Sequence, residues 1–435
     1  MTSRETVREI FYSALKSISP ESIMCRNVIR MVDDLQVQGV SYSLAGYDHV
    51  HICGSGKAAA RMAVALEKLL WDRLAGGIVV TSESGYRSAK LTFLASSHPI
   101  PTEKSLSAAE ALSDYLSRLS KNDLCIYLLS GGSSSLVEKP LPPVTLSDFQ
   151  SLSAMLLKSG MRIGEMNTIR KHLSSVKGGR LGVMSKGRII VLVISDVIGD
   201  DLEAIGSGPL YSDRSTYLDA RSILERYALW EQVPDSIRRV IENGIAGRIG
   251  ETVKTTPEHV HHYLLGSNVK FLEAAKIKTE ALGIHAHIMT SSLFGEAGEV
   301  AKVLVALTRE IGKTGNPFPP PVCLLFGGET TVTVTGTGMG GRNQQLCLSF
   351  LAEHPFPVKC TLLSAGSDGI DGNSDAAGAI VDGETITRMN RLGLNSDYYL
   401  RQNDAYHFFK QTDDLLFTGP TGTNVMDMQI LYIEG

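Results

Sequence analysis

A chain of 435 residues, 43% hydrophobic and 20% charged, has the length of two or three domains and the balance of a globular protein rather than a disordered one. Its 46 acids and 42 bases leave a formal charge of −4, which removes the electrostatic case for a nucleic acid or an anionic membrane as partner. No uncharged apolar run reaches bilayer length, and the opening MTSRETVREIFYSALKSI lacks the apolar core of a signal peptide.

The elements follow a rhythm. Short β-rich runs at 49–53, 77–81, 124–129 and 189–194 end in glycine or acid. Segments of helical period lie between them, such as 58–70 and 146–157, the second with Thr145 and Asp148 placed as a cap. Strand alternating with helix predicts a mostly parallel sheet covered on both faces, a Rossmann-like α/β domain. Periodicity fades over 242–262, which makes that stretch the candidate junction between domains at 1–245 and 246–435. The second half runs through a strand at 262–268, a helix at 269–282, a strand at 286–291, a helix at 297–311, a Pro/Gly loop at 312–321 and a strand at 321–326. The run 329–335 (ETTVTVT) then alternates as a half-exposed or antiparallel strand does, so the second domain is expected to be mixed α/β. Six scattered cysteines without CxxC pairs argue against a disulfide framework or structural zinc, and a reducing cytoplasm is the expected setting.

Glycine is in excess, with 42 residues, and collects where strands end. The first strand runs into Gly54, Ser55, Gly56 and Lys57 before a helix, where α/β sheets collect ligands. Ala58 after Lys57 rules out a Walker A loop. The segment satisfies GxGxxA, but Glu83 lies 29 residues beyond Gly54, later than the ribose-binding acid of dinucleotide folds. Lysine there favours phosphate; the plainer reading is a tight turn with a solvated lysine. The strand at 124–129 feeds Ser130, Gly131, Gly132, Ser133 and Ser134, whose backbone can form an N–H concavity for phosphate or carboxylate. Residues 167–180 hold Asn167, Arg170, Lys171, His172 and Lys177 with no acid nearby, and read as a short helix. Its basic residues suit an anionic substrate or an ordinary solvated face. Asp196 directly follows a buried strand, where phosphoryl-transfer enzymes hold Mg²⁺ and where a simple turn also places aspartate.

In the second half, Gly327 and Gly328 precede Glu329, and the glycine-rich stretch 336–341 leads into Arg342 and Asn343 at a helix start. Such a loop reads as a mobile lead-in to a planar cation suited to phosphate or carboxylate. Asp368 follows another apolar strand. Asp371, Asn373 and Asp375 mimic the start of an EF-hand, but Ala376 stands where its glycine belongs, so calcium is not expected. The histidines at 259–262 and 285–287 read as structural, and neither HExxH nor GxSxG occurs.

Ten segments in order resemble the class II glycerate kinases, the glycerate 2-kinase family whose C-terminal part is called the MOFRL domain. They are GSGKAA (54–59), SSHPIP (96–101), SGGSSSL (130–136), MNTIRKHLSSVKGGRL (166–181), SDVIGDD (195–201), GSGP (206–209), GGETTV (327–332), GMGGRNQ (338–344), AGSDGIDG (365–372) and TGPTGTNVMD (418–427). The resemblance implies a Rossmann-like N-terminal domain, a mixed α/β C-terminal domain with the MOFRL region over about 320–430, and an active site in the cleft between them. It implies ATP and Mg²⁺, with the γ-phosphoryl group passing to the 2-hydroxyl of D-glycerate to give 2-phosphoglycerate. The lysine and arginine that members use match Lys57 and Arg342. The expected substrate- and nucleotide-binding set is Gly54, Ser55, Gly56, Ser130, Gly131, Gly132, Ser133, Ser134, Asn167, Arg170, Lys171, Glu329, Asn343 and Asp368, with Asp196 on the metal. Ser133, Ser135, Ser367 and Ile198 depart from the more usual Gly, Ala, Thr and Pro, which bears on substrate or nucleotide preference. The expected partners are D-glycerate and ATP, without nucleic acid or membrane, and a homodimer is a candidate assembly. Two other readings are an NAD(P)H-dependent hydroxypyruvate reductase, a name some members carry, and a non-catalytic binding protein.

Overall fold

The apolar runs at 49–53, 77–81, 124–129 and 189–194 become strands of one parallel sheet. A computed structural model describes residues 1–353 and 358–435. The chain forms two compact units, one of residues 23–195 and 200–265, the other of 1–22, 196–199 and 266–435.

In the first unit the strands lie in the order Leu91–Ala95, Leu74–Thr81, His49–Ser55, Asp123–Leu129, Arg188–Ile194, Val260–Gly266. The pairings from Leu91–Ala95 through Arg188–Ile194 are all parallel. Numbered along the chain, this is the doubly wound order 3-2-1-4-5-6, which reverses direction between His49–Ser55 and Asp123–Leu129. Asp123–Leu129 is buried along its whole length, as a central strand covered on both faces must be. The helix Ala59–Leu70 buries Met62, Ala63, Leu66 and Leu70, and Thr145 and Asp148 form the expected reciprocal cap on Leu146–Lys158. A helical core gathers Phe149, Leu152, Ile169, Tyr217 and Val240.

The basic segment differs from its expected form. Its helix is Ile163–Leu173, and Ser174 is extended. Lys177 therefore sits in the loop beyond, outside the helix expected within 167–180. Gly178 and Gly179 adopt φ of +57° and +81°, and a Cβ on either would press into Thr252 or Val253.

The second unit has the strand order His285–Glu296, Val322–Thr331, Asp427–Ile433, Cys360–Gly366, Gly378–Val381, Leu415–Leu416. Its first pair is parallel and the rest antiparallel, the mixed sheet expected from the alternating run. Gly327 and Gly328 do not break the chain into two strands: Val322–Thr331 is continuous, and the alternation ends at Thr331 instead of Thr335. The glycines are there for close packing, since a Cβ at Gly327 would strike Asn268 Oδ1 and one at Gly328 the backbone of Leu293. The fade at 242–262 is a helix Asp235–Ile245 and a loop that leads back to the first sheet, so the units part at 265/266 rather than at 245/246.

The opening helix Ser3–Ser17 belongs to the second unit, and its Thr2 and Glu5 form a capping box. Arg4 reaches Asp382 at 3.0 Å and Asp414 at 2.6 Å, and the Asp414 side chain is fully buried. Arg388 also pairs with Asp414, at 2.6 Å. Arg4→Met should therefore destabilise this unit by about 2–3 kcal/mol, less than the 3–5 kcal/mol of losing a sole buried partner. Urea unfolding reports the change, and a loss below about 0.5 kcal/mol would mean that Arg388 alone neutralises Asp414.

Candidate active site

In the first unit the two glycine loops meet at the point where the strand order reverses, the place at which open α/β sheets bind ligands. The Lys57 N–H donates to Gly131 O at 2.9 Å, the Ala58 N–H to Ser130 Oγ at 3.0 Å, and the Ser130 N–H to Ser55 O at 3.2 Å. This lacing requires a bare backbone. Gly56 has φ of +135°, and a Cβ there would overlap Ser130 Oγ. A Cβ on Gly54 would lie 2.7 Å from Leu128 O, and Gly132, with φ of +82°, lies against the His98 ring and the Lys57 stem. Ser55 Oγ hydrogen-bonds Tyr127 OH at 2.7 Å and Ser133 Oγ at 2.6 Å, so those two hydroxyls are used inside the fold. Ser134 is half-buried at the start of the short helix Ser133–Leu136.

Lys57 is half-buried, and among the described residues of its unit no carboxylate reaches its ammonium. Crowding by its surroundings, and then the charge of Lys57, holds His98 below the usual imidazole range, although its ring still meets solvent. His98 belongs to the SSHPIP segment but not to the expected site; its signal was an imidazole following an edge strand beside the first loop.

The acids missing from the basic segment's own sequence arrive from elsewhere in the fold. Lys171 is buried and pairs with Glu203 and Asp213, each at 2.9 Å. Lys177, fully buried, pairs with Glu138, and His172 lies 3.1 Å from Glu251. Lys171 is thus neutralised within the fold, against its expected place among the anion ligands. Arg170 is different. It is half-buried with its Nε unpartnered, and burial holds its guanidinium below its usual range while Glu138 acts the other way. Asn167 accepts from Ser207 Oγ at 3.3 Å, and the neighbouring Gly206 lies against Ser133. That turn brings the Asn167–Arg170 helix to the second glycine loop.

In the second unit Arg342 opens the helix Arg342–Glu353 and is clamped between acids. Its Nε and Nη2 donate to the two oxygens of Asp427 at 2.5 and 2.9 Å, and its Nη1 lies 2.9 Å from Glu329. The Asp427 side chain is fully buried. Burial ranks first in raising the Glu329 carboxyl, although 44% of that side chain is exposed; Arg342 acts against it, and Asp427, Asp196 and Asp368 add to it. Two carboxylates therefore grip the guanidinium, and the charges of Asp196 and Asp368 reach Glu329 as well. A cavity of about 520 Å³ opens beside them, lined by Glu329, Gly340, Arg342 and Asn373 among others.

The lead-in 336–341 is tied down rather than mobile. The N–H groups of Gly336, Gly338, Met339 and Gly340 donate to Asn403, Gln402, Asp404 and Asn373 at 2.8–2.9 Å. Gly336, Gly338 and Gly341 leave no room for a Cβ against Gln402, Asp404 and Asp371. Asp371 accepts from the N–H groups of Asn343 and Gln344 at 3.1 and 2.9 Å, so it caps the helix of Arg342. Asn343 is buried among Asp371 and Ser364. It supports the clamp from behind. Asp427 was not among the expected residues; its signal was an acid opening the last apolar strand.

The family model described as MOFRL family matches residues 322–427, and the one described as domain of unknown function (DUF4147) matches 6–242. The chain is 41% identical to a glycerate 2-kinase of Pyrococcus horikoshii over 100% of its own length and 98% of the relative's. It is 35% identical to a putative hydroxypyruvate reductase of Agrobacterium vitis, over 100% and 95%. The crystal structure of glycerate kinase from Thermotoga maritima matches with a TM-score of 0.87 at 37% identity, covering 99% of each chain. Fold, ordered loop motifs and end-to-end similarity agree: the chain belongs to the MOFRL-containing glycerate 2-kinase family.

Proposed function

We propose that the protein is an ATP-dependent kinase that transfers the γ-phosphoryl group to the 2-hydroxyl of D-glycerate, giving 2-phosphoglycerate. The observation that carries this reading is Lys57, a lysine without a carboxylate partner in its unit, held on a laced glycine loop where the strand order reverses. Phosphoryl transfer asks the protein for fixed positive charge around the transferring oxygens and for an aligned acceptor, and little covalent chemistry. Lys57 supplies the charge, and Gly56, Gly131, Gly132 and Ser134 supply close backbone and a hydroxyl. Arg170, whose Nε lacks a partner, suits the glycerate carboxylate.

Arg342 supplies a second cation whose orientation two acids fix, so it meets a phosphoryl group without first having to order its side chain. Asp196, Asp368 and Glu329 are the group that would hold Mg²⁺. Their oxygen donors suit it, and the excess negative charge already felt at Glu329 is what a divalent cation would relieve. Bound there, Mg²⁺ would neutralise charge on the nucleotide phosphates. The names of the Pyrococcus and Thermotoga relatives support the same substrate.

One observation favours the reductase reading: Glu83 stands two residues beyond the strand Leu74–Thr81, close to where a dinucleotide fold keeps its acid. It accepts a hydrogen bond from Tyr86 at 2.8 Å. A coupled ADP-release assay with D-glycerate, run beside NADH consumption with hydroxypyruvate, separates the two; ADP release alone is expected, and NADH consumption alone overturns the proposal.

Substitutions at three positions test the assignment. Lys57→Ala removes a loop cation and no core, so the fold should persist while kcat falls about a hundredfold or more. Arg342→Lys keeps the charge but cannot bond both oxygens of Asp427 and Glu329 together, so its kcat should lie within about tenfold of that of Arg342→Ala. Asp196→Asn should raise the Mg²⁺ concentration needed for half-maximal rate; an unchanged requirement moves the metal to Asp368 and Glu329.

A further inference from the structure

At the opposite end of the same parallel sheet, about 20 Å along the strand from Ser55 at a rise of about 3.3 Å per residue, His49, His51 and Asp123 converge. One ligand atom from each lies within 4.8 Å of the other two. His49 and His51 are two apart on one strand and so share a face. Asp123 opens the neighbouring strand, in register with His49. His49 Nδ1 lies 3.2 Å from Asp123 Oδ1, and His51 Nε2 lies 3.9 Å from the same oxygen. Four ligands about 2.0 Å from a tetrahedral ion stand about 3.3 Å apart. The His49–Asp123 pair already has that spacing, and toward Asp123 His51 must close by well under an ångström.

The supporting contacts are those of a metal centre. The other nitrogen of His51, Nδ1, is engaged by Tyr115 OH at 2.8 Å, which leaves Nε2 facing Asp123. The second oxygen of Asp123 accepts the Ser120 N–H at 2.7 Å, which fixes the carboxylate. Outer partners of this kind orient ligating imidazoles and carboxylates. The Asp123 side chain is only 10% exposed, whereas that of His49 is 63% exposed, so the cluster opens to solvent on one side, where water can complete the shell.

We infer that His49, His51 and Asp123 form a binding site for a first-row divalent ion of the zinc class, clipping together the starts of the two central strands. Two imidazoles and a carboxylate suit Zn²⁺, Co²⁺ or Ni²⁺, and they disfavour Mg²⁺, which takes oxygen donors. The site is independent of the kinase reading, because no residue of the glycine loops belongs to it.

The test uses the tag-free full chain after chelator treatment. Co²⁺ titration should give the visible d–d bands of a tetrahedral site at one equivalent, bleached by Zn²⁺. Zn²⁺ should raise the melting temperature of the wild type and leave that of His49→Ala unchanged. Tyr115→Phe, which keeps all three ligands, should weaken Zn²⁺ affinity about tenfold or more. His49 is exposed, so His49→Ala should fold and keep its Mg²⁺-dependent turnover while losing the Co²⁺ spectrum. Wild-type Zn²⁺ affinity in His49→Ala, or no Co²⁺ spectrum in the wild type at micromolar protein, would overturn the inference.

Discussion

The reversal of strand order between His49–Ser55 and Asp123–Leu129 is the constraint on which the first unit depends. Adjacent parallel strands whose connections leave toward opposite sides cannot have their following loops cover one another, so a crevice opens at their ends. Two loops must share that crevice, and they do so by lacing backbone to backbone and to Ser130. That closeness excludes side chains at Gly54 and Gly56. The side chain that remains at the mouth is Lys57. Its position follows from topology first and from chemistry second.

Charge follows a comparable logic. A buried cation needs a buried acid, and the sequence distance between them is irrelevant to the fold. Lys171 and Lys177 find Glu203, Asp213 and Glu138 at separations of 32, 42 and 39 residues. Arg342 finds Asp427 at 85. What distinguishes a candidate ligand from a structural base is therefore what the fold leaves without a partner, as at Arg170 Nε, or holds with donors to spare, as at Arg342.

This is also where the sequence stops being legible. Elements whose signal is local were readable: the strand found at His49–Ser55 was expected from 49 to 53, and the Thr145–Asp148 cap is as read. Lys57 and Arg342 stood out because glycine loops preceded them. The acids that neutralise Lys171, the clamp by Asp427 and the His49–His51–Asp123 cluster are non-local pairings that no window of residues displays. Glycine misled in two ways. At 327–328 it marked close packing inside a strand rather than its end, and at 336–341 a tethered loop rather than a hinge, because a missing Cβ serves tight approach as readily as motion.

The placement of the opening helix has a consequence for synthesis. Residues 23–195 and 200–265 are nearly continuous in sequence, so the first unit can assemble while the chain is still being made. The other unit cannot. Its helix Ser3–Ser17 is translated well ahead of its partners: Arg4 awaits Asp382 and Asp414, and Ser3 awaits Glu434. The strand Asp427–Ile433, which lies between Val322–Thr331 and Cys360–Gly366, is translated after both of its neighbours. Until then the sheet beneath the apolar face of that helix, with Val7, Ile10 and Phe11, lacks its central strand. The helix thus waits through the translation of most of the residues that separate it from these partners, and that interval is when a chaperone would find it incompletely covered.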